Sequence, residues 1–413
     1  MEKIRMGVIG LGKRGYCNLS HYLSKYSDVE VRALCDVYDD RLEKAAENVR
    51  TEQGIEPFCT TDYRQVLNKE LVDAVYIATS WETHIEISIA ALKAGIITAT
   101  EVGGAYTVDE CFELVRAYEE TGTPFMLMEN CCFNESELMV TAAVRAGKLG
   151  TIVHCSGAYA HDLRDEVATG NIKRHYRLRN YLSRNCENYP THELGPIARL
   201  LNVNRGNRLL SLVSVASKAC GLEEFIRDKK LDEKDETLKN ARFKQGDIVN
   251  TIITCAGGET ILLTLDTTLP RSYNRALTVR GTKGAYEMGT NSFFLDGMKE
   301  FWEPTEYYTG AMNNAKTIGD EFLPEVWKNM TEQEKKSVHG GMDGVMFRVF
   351  IDAVKNGDPL PIDVYDAATW MCITALSAES IANGGSIQQI PDFTNGKWQT
   401  RESEDVMPLC RKA

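Results

Sequence analysis

The chain has 413 residues, 43% hydrophobic and 26% charged, with 47 Lys and Arg against 59 Asp and Glu and a formal net charge of −12. That length predicts two domains, the acidic balance argues against nucleic acid as a partner, and no apolar run is long enough to make a membrane a partner. "MEKIRMGVIGLG" enters a strand at once, which leaves no room for a signal peptide and predicts a cytoplasmic protein. The 12 cysteines lack CxxC pairs and are read as reduced thiols, with Cys131 and Cys132 as packing residues.

In chain order, "IRMGVIG" predicts a strand, Lys13 to about Tyr26 a helix, and "VEVRALCDV" a strand that ends in Asp36. "LVDAVYIATS" is a continuous apolar strand, as at the centre of a parallel sheet. "THIEISIAALKAG" has helical periodicity and closes on Gly95, "IITAT" is a strand, "TVDECFELVRAYEETG" a capped helix, and "PFMLM" a further strand. This βαβ rhythm predicts a doubly wound Rossmann domain over residues 1–128.

From 129 to 413 the pattern predicts an α+β domain with a mostly antiparallel sheet. After a helix that ends near Gly147, "TIVHCSGAYA", "RLLSLVSVAS", "DIVNTIITCAG", "ETILLTLDTT" and "NRALTVRGTKG" are strands joined mostly by turns, with Gly257-Gly258 as a hairpin. The charged run "RDKKLDEKDETLKNARFK" is a solvated excursion, and 290–337 is a long irregular stretch over a site or a dimer contact. Helices near Met342–Lys355 and Val364–Asn383 finish the fold.

Gly10-Leu11-Gly12-Lys13-Arg14-Gly15 matches G-x-G-x-x-G between a strand and a helix, with an acid, Asp36, about 20 residues further on. Gly10 permits the tight turn, Gly12 lets backbone approach a pyrophosphate, and Gly15 lets helix pack on strand. Asp36 suits a ribose diol and repels a 2′-phosphate, so NAD is expected over NADP, with Arg41 nearby as the one feature against it.

With "GVIGLGKRG", "VYIATSWETH", "AALKAG" and "EVGGA" in order, the first domain resembles the Gfo/Idh/MocA oxidoreductases. "MENCCF", "GAYAHDLR", "NCENYPTHELGPIARLLN", "GETILLTLDTTLPR", "HGGMDGVM" and "PDFTNGKW" are similar to glycoside hydrolase family 109, the NAD-dependent glycosidases founded on α-N-acetylgalactosaminidase. Many of those enzymes are exported, which departs from the cytoplasmic reading. The resemblance also bears on Val102 and Gly103, which follow Glu101 where sugar dehydrogenases of this type carry a catalytic lysine and a proline; family 109 has EVG there too. It implies that Gly10 to Gly15 and Asp36 hold the adenosine half of NAD, that Trp81, Glu82, Thr83 and His84 lie along the cofactor, and that Glu101, Val102 and Asn130 line its nicotinamide side. It alone implies that the α+β domain from 129 to 413 is substrate-binding and that its sheet is open, with substrate contacts by Tyr159, Arg177, Tyr189, Pro190, Thr191, His192 and Tyr273, although "KRHYRLRNYLSR" offers several arginines. An open sheet face in this fold commonly supports a dimer or tetramer, so a homo-oligomer is expected.

The chemistry implied is redox-neutral: oxidation of a sugar carbon, C3, acidifies the C2 hydrogen, the aglycone leaves from C1, water adds, and the hydride returns. His192, near the start of a helix behind Pro190, is read as the base for the oxidised hydroxyl. Tyr159 and Tyr189 are read as carriers of the second proton, with a cation such as Arg177 needed to ease a phenol's high pKa. His84 is read as packing against the cofactor, His339 as part of a helix entry with a ligand contact left open, and His161 with Asp162 as too few for a metal site, so no metal is expected. Two other readings stand beside this one: a net sugar dehydrogenase or keto-sugar reductase in which His192 replaces the lysine, and a silent nucleotide-bound sensor.

Overall fold

The run Ile4–Ile9 is almost wholly buried and forms β1, inside a parallel sheet. The computed structural model describes residues 3–300 and 302–409; Met1, Glu2 and Phe301, which fall within two of the stretches read above, lie outside the described residues. After the glycine loop, α1 (Lys13–Asn18) passes into a π-helical turn over Leu19–Leu23. β2 (Val29–Cys35), α2 (Asp39–Gln53), β3 (Phe58–Thr60), β4 (Ala74–Ile77), α3 (Trp81–Lys93), β5 (Ile97–Thr100), α4 (Val108–Thr121) and β6 (Phe125–Leu127) follow. The order β3-β2-β1-β4-β5-β6, with every pair parallel, is that of a doubly wound nucleotide-binding sheet. α2 and β3 went unread: α2 buries only Leu42, Ala45, Ala46 and Val49 of its charged run, and β3 is a short, largely exposed strand.

The second sheet begins after α5 (Glu135–Arg145) with β7 (Ile152–Ala160). Helices α6 (Arg164–Ala168), α7 (Gly170–Lys173), α8 (Arg177–Ser183) and α9 (Thr191–Leu200) lead to β8 (Leu209–Ala216), and α10 (Gly221–Asp228) leads to β9 (Ile248–Cys255). β10 (Thr260–Asp266), β11 (Thr278–Gly281), β12 (Gly284–Glu287) and β13 (Ser292–Leu295) complete the run. α11 (Pro304–Gly310), α12 (Ala315–Ile318), α13 (Glu325–Lys328), α14 (Glu332–Lys335), α15 (Met342–Asn356), α16 (Val364–Ala382) and the short β14 (Gln388–Gln389) end the chain.

The sheet order is β13-β12-β11-β7-β10-β9-β8-β14, antiparallel except where β7 meets β10. The Gly257-Gly258 hairpin is present between β9 and β10, with Gly258 at φ +94. Two expectations are corrected. The β7–β8 connection, in which only the helix behind Pro190 was expected, holds the three further helices α6, α7 and α8. The stretch 290–337 holds β13 and four short helices, anchored by buried Trp327, whose indole N–H donates to the Phe133 carbonyl at 3.0 Å. The charged excursion is mostly exposed, pinned by buried Leu231, Leu238 and Phe243. Every cysteine among the described residues is a free thiol, and no described helix is long and apolar enough to cross a membrane.

Compactness divides the chain differently from one cut at 128: one unit runs through Asn130 and takes in Thr331–Met371, while the other holds Cys131–Met330 and resumes at Cys372. Long-range contacts explain the return of α15 to the first unit. Phe347 stacks on Tyr22 (5.9 Å between centroids) and meets Tyr76 edge-on (5.2 Å). Arg348 and Lys355 pair with Asp28 at 2.9 and 2.8 Å, and their hydrogen bonds, led by Arg348, hold its carboxyl down at about 2.

Candidate active site

In the first unit the carboxyl ends of β1, β2, β4 and β5 present Gly10–Gly15, Asp36, Trp81–His84 and Glu101 along one edge of the sheet, where doubly wound folds bind nucleotides. A Cβ at Gly10 (φ +94) would lie 2.5 Å from the Ala78 carbonyl, and one at Gly15 would lie 1.9 Å from the Gly10 oxygen, so both are required by the fold itself. Gly12 differs: the nearest atom to its Cβ position is Arg41 Nη1 at 3.6 Å, which leaves room for a ligand to approach the backbone. Asp36 is buried and accepts from the Leu11 N–H (2.7 Å) and the Tyr38 N–H (3.1 Å), so its carboxylate is fixed beside the glycine loop. Arg41 lies 3.7 Å from it and stacks on Tyr38. The glycine cradle and the pinned carboxylate fit the pyrophosphate and ribose of a dinucleotide.

Lys13 is exposed, whereas Arg14 turns inward. Its Nε donates to Glu101 Oε1 at 2.8 Å, and its Nη1 and Nη2 donate to Asp343 at 2.6 and 3.0 Å. The same Glu101 oxygen accepts from the Tyr76 hydroxyl (2.7 Å) and Asn18 (3.3 Å). Asp343 also accepts from Asn130 Nδ2 (2.7 Å), and its Oδ2 lies 2.7 Å from His339 Nδ1. Burial opposes ionisation of Asp343, yet Arg14 and His339 hold its carboxyl well below the usual range. Glu101 and Asn130 are thus joined through Arg14 and Asp343, and His339 belongs to this network with a left-handed backbone (φ 51).

Val102 is buried, and a Cβ at Gly103 would lie 2.8 Å from Trp81 Cδ1 and 3.3 Å from His84 Nδ1. The indole therefore occupies the place that a proline would need. Thr83 donates to the Thr79 hydroxyl (2.8 Å), and His84 Nε2 lies 3.1 Å from the Thr79 carbonyl. Burial lowers the His84 pKa and keeps the ring neutral. Glu82, beside them in the first turn of α3, is partly exposed.

In the second unit the predicted substrate residues form an aromatic cluster. Tyr159, at the end of β7, has its ring centroid 4.5 Å from Tyr189 and 5.4 Å from His192, and Tyr189 and His192 are 4.7 Å apart. Tyr189, Pro190 and Thr191 lead directly into α9, and Pro196 in that helix has no N–H to offer the His192 carbonyl. Arg177, first residue of α8, sets its guanidinium 5.0 Å over the Tyr189 ring and pairs with Glu166 at 3.0 Å, so this arginine of the run reaches the cluster. Tyr273 joins at the edge, 6.5 Å from Tyr159 and 5.1 Å from the His161 ring. Burial pushes the Tyr159 phenol up to about 12 although Arg177 opposes it. The cation expected to ease that phenol is present, and burial outweighs it.

Sequence reasoning missed Asp343 as the partner of Arg14, Trp81 as the reason for Gly103, and the support under Tyr273. There, Arg275 Nη1 donates to the tyrosine oxygen (3.3 Å) while its Nε pairs with buried Glu137 on α5 at 2.6 Å. It also missed the paired acids Glu187 and Glu193, although both stand inside the quoted "NCENYPTHELGP". Two acids at that spacing beside a buried turn were the available signal.

The fold and the glycine cradle define an oxidoreductase-type protein that binds NAD(H). Residues 4–129 match the model of the oxidoreductase family with an NAD-binding Rossmann fold, and residues 133–400 match that of the glycosyl hydrolase 109 C-terminal domain. An α-N-acetylgalactosaminidase of Tannerella forsythia is 34% identical over 97% of this chain and 88% of its own. A glycosyl hydrolase family 109 protein of Stenotrophomonas maltophilia is 35% identical over 97% and 91%. Among solved structures, an inositol dehydrogenase homologue from Azotobacter vinelandii shares the fold at 16% identity, with a TM-score of 0.66 over 94% of this chain and 98% of its own. The chain belongs to glycosyl hydrolase family 109, and is a glycoside hydrolase on an oxidoreductase-type fold.

Proposed function

We propose that the protein cleaves small glycosides by transient oxidation of the sugar at C3, elimination of the aglycone, addition of water and re-reduction, with NAD preferred over NADP. The observation that carries this reading is the cluster of His192, Tyr159 and Tyr189 under the Arg177 charge, a proton-transfer set where a simple glycosidase would use two flanking carboxylates. When bound, NAD supplies a hydride acceptor and later a hydride donor. Gly12 admits the pyrophosphate, and Asp36 orients the ribose diol and disfavours a 2′-phosphate.

His192 takes the proton of the hydroxyl being oxidised and returns it at the end. Tyr189 takes the proton from C2 and passes it to the departing aglycone oxygen, while Tyr159 serves the C3 oxygen, on which enolate charge develops. Because the Tyr159 phenol is held up near 12, it begins each cycle protonated and acts first as a donor to a developing oxyanion. Arg177 steadies negative charge there without being able to lose its own proton. Val102, where the dehydrogenases carry lysine, supplies apolar surface and no proton.

The test is p-nitrophenol release from p-nitrophenyl glycosides, including the α-N-acetylgalactosaminide named for the Tannerella relative, with and without added NAD⁺ after cofactor stripping. Release that needs NAD⁺ without accumulating NADH supports the reading. Stoichiometric NADH with an intact glycosidic bond contradicts it and favours a net sugar dehydrogenase.

A further inference from the structure

Glu187 and Glu193 are both buried, at 0% and 2% exposure, on either side of the Tyr189–His192 turn. Glu187 Oε1 accepts the Tyr189 N–H at 3.3 Å. Glu193 Oε2 accepts the Thr264 N–H of β10 at 3.3 Å, and its carboxyl also accepts the main-chain N–H of Tyr159 on β7. The closeness of α9 to β7 depends on Gly157, whose Cβ would lie 3.1 Å from Glu193 Cβ.

The two carboxyl groups are hydrogen-bonding neighbours, yet Glu187 Oε2 and Glu193 Oε1 have no donor among the described residues. Two carboxylates that close cannot both ionise out of water, and one proton between them satisfies both bare oxygens. Such a pair costs stability relative to apolar packing, so its place beneath the aromatic cluster calls for a function.

We propose that Glu187 and Glu193 are positioning residues, a carboxyl pair joined by one shared proton that sets Tyr159, Tyr189 and His192 for proton transfer to the sugar. The proposal rests on the reading above for what those three groups do. Through main-chain hydrogen bonds the pair ties the Tyr189 turn to Tyr159 on β7, and Glu193 is the chain neighbour of His192. Loss of the proton puts two like charges face to face and drives the turn away from the strand.

Burial raises both carboxyls first, and their mutual interaction keeps the proton on the pair. Titratable groups around them include the buried Cys186 thiol, pushed up to about 12 by burial, Tyr159 on β7, Tyr189 and His192 on their own segment, and the Arg177–Glu166 ion pair over Tyr189. β10 contributes the Thr264 N–H. α16 contributes hydroxyls: Ser377 accepts from the Glu187 N–H, and Thr374 donates to the Glu187 carbonyl. Since the folded pair binds a proton that the unfolded chain has lost at neutral pH, its stabilising contribution is greatest in acid and fades as the pH rises through release of that proton.

The test uses the full chain. Infrared titration of the wild-type protein should show a protonated-carboxyl stretch at neutral pH that disappears in alkali and is absent from E187Q and E193Q. The glutamine variants, whose amide N–H replaces the shared proton, should keep most of kcat at neutral pH and lose the alkaline limb of the wild-type profile. E187A and E193A, which strand one carboxyl, should lose about 100-fold in kcat while NAD affinity stays within about twofold. A wild-type protein without that band at neutral pH overturns the proposal, and so does an alkaline limb unchanged in the glutamine variants. The infrared arm needs no turnover, so it judges the pair even where a variant misfolds or the glycosidase reading fails.

Discussion

Glu101 and Asp343 are buried around one guanidinium, whereas Glu187 and Glu193 are buried around each other. In the first arrangement one guanidinium, which does not titrate, pairs with both acids, and His339 stands beside Asp343. The second makes the geometry of the substrate side conditional on a proton. Under the proposed redox-neutral cycle, in which NAD stays bound while protons move on the sugar, the two halves have reason to differ.

The largest expected effect breaks the first arrangement. Arg14→Leu leaves buried Glu101 without its guanidinium and Asp343 with His339 alone, and should cost about 3–5 kcal/mol, read as a fall in Tm and in denaturation midpoint. A loss below about 1 kcal/mol would mean that the network is no more than a surface pair. His192→Ala acts on the other half: kcat should fall about 10²–10⁴-fold while NAD binding, followed by fluorescence titration, is unchanged. Near-normal turnover would remove His192 from proton transfer.

A smaller change sharpens the contrast at the missing lysine. Gly103→Ala drives a methyl against Trp81 and should destabilise by about 1–3 kcal/mol in thermal melts. V102K/G103P, which restores the dehydrogenase-like pair, should fail to produce net NADH from free sugars, because the indole holds the place the proline needs. Least of all, Asp28→Asn should cost about 1 kcal/mol at neutral pH. The Asp28 carboxyl is depressed when folded, so its contribution is present above the unfolded value of about 3.9 and is lost as the pH falls through about 2; wild type and variant should then converge.

The Rossmann half was legible because most of its strands are apolar runs and its glycines stand between a strand and a helix with Asp36 following, a context that the spacing alone would not supply. α15 was legible as a helix but not as a member of the first unit, since nothing local to Phe347 and Arg348 names Tyr76 or Asp28. The aromatic cluster was legible only as a list of residues. That Tyr159, Tyr189 and His192 meet depends on Gly157 bringing α9 onto β7, a contact between distant parts of the chain. Arg14 was read as one more loop position, because a side chain's turn inward depends on acids 87 and 329 residues away. In the passage before β8 the helix behind Pro190 was legible, whereas α6, α7 and α8 are only four to seven residues long and have no side-chain cap to mark their starts.

The most direct test of redox-neutral cleavage is turnover of an active p-nitrophenyl glycoside in deuterated water, with the released sugar analysed by NMR or mass spectrometry. Transient oxidation at C3 with proton removal at C2 predicts one deuterium at C2 of the product and no net NADH. Sugar released with an undeuterated C2 would contradict it.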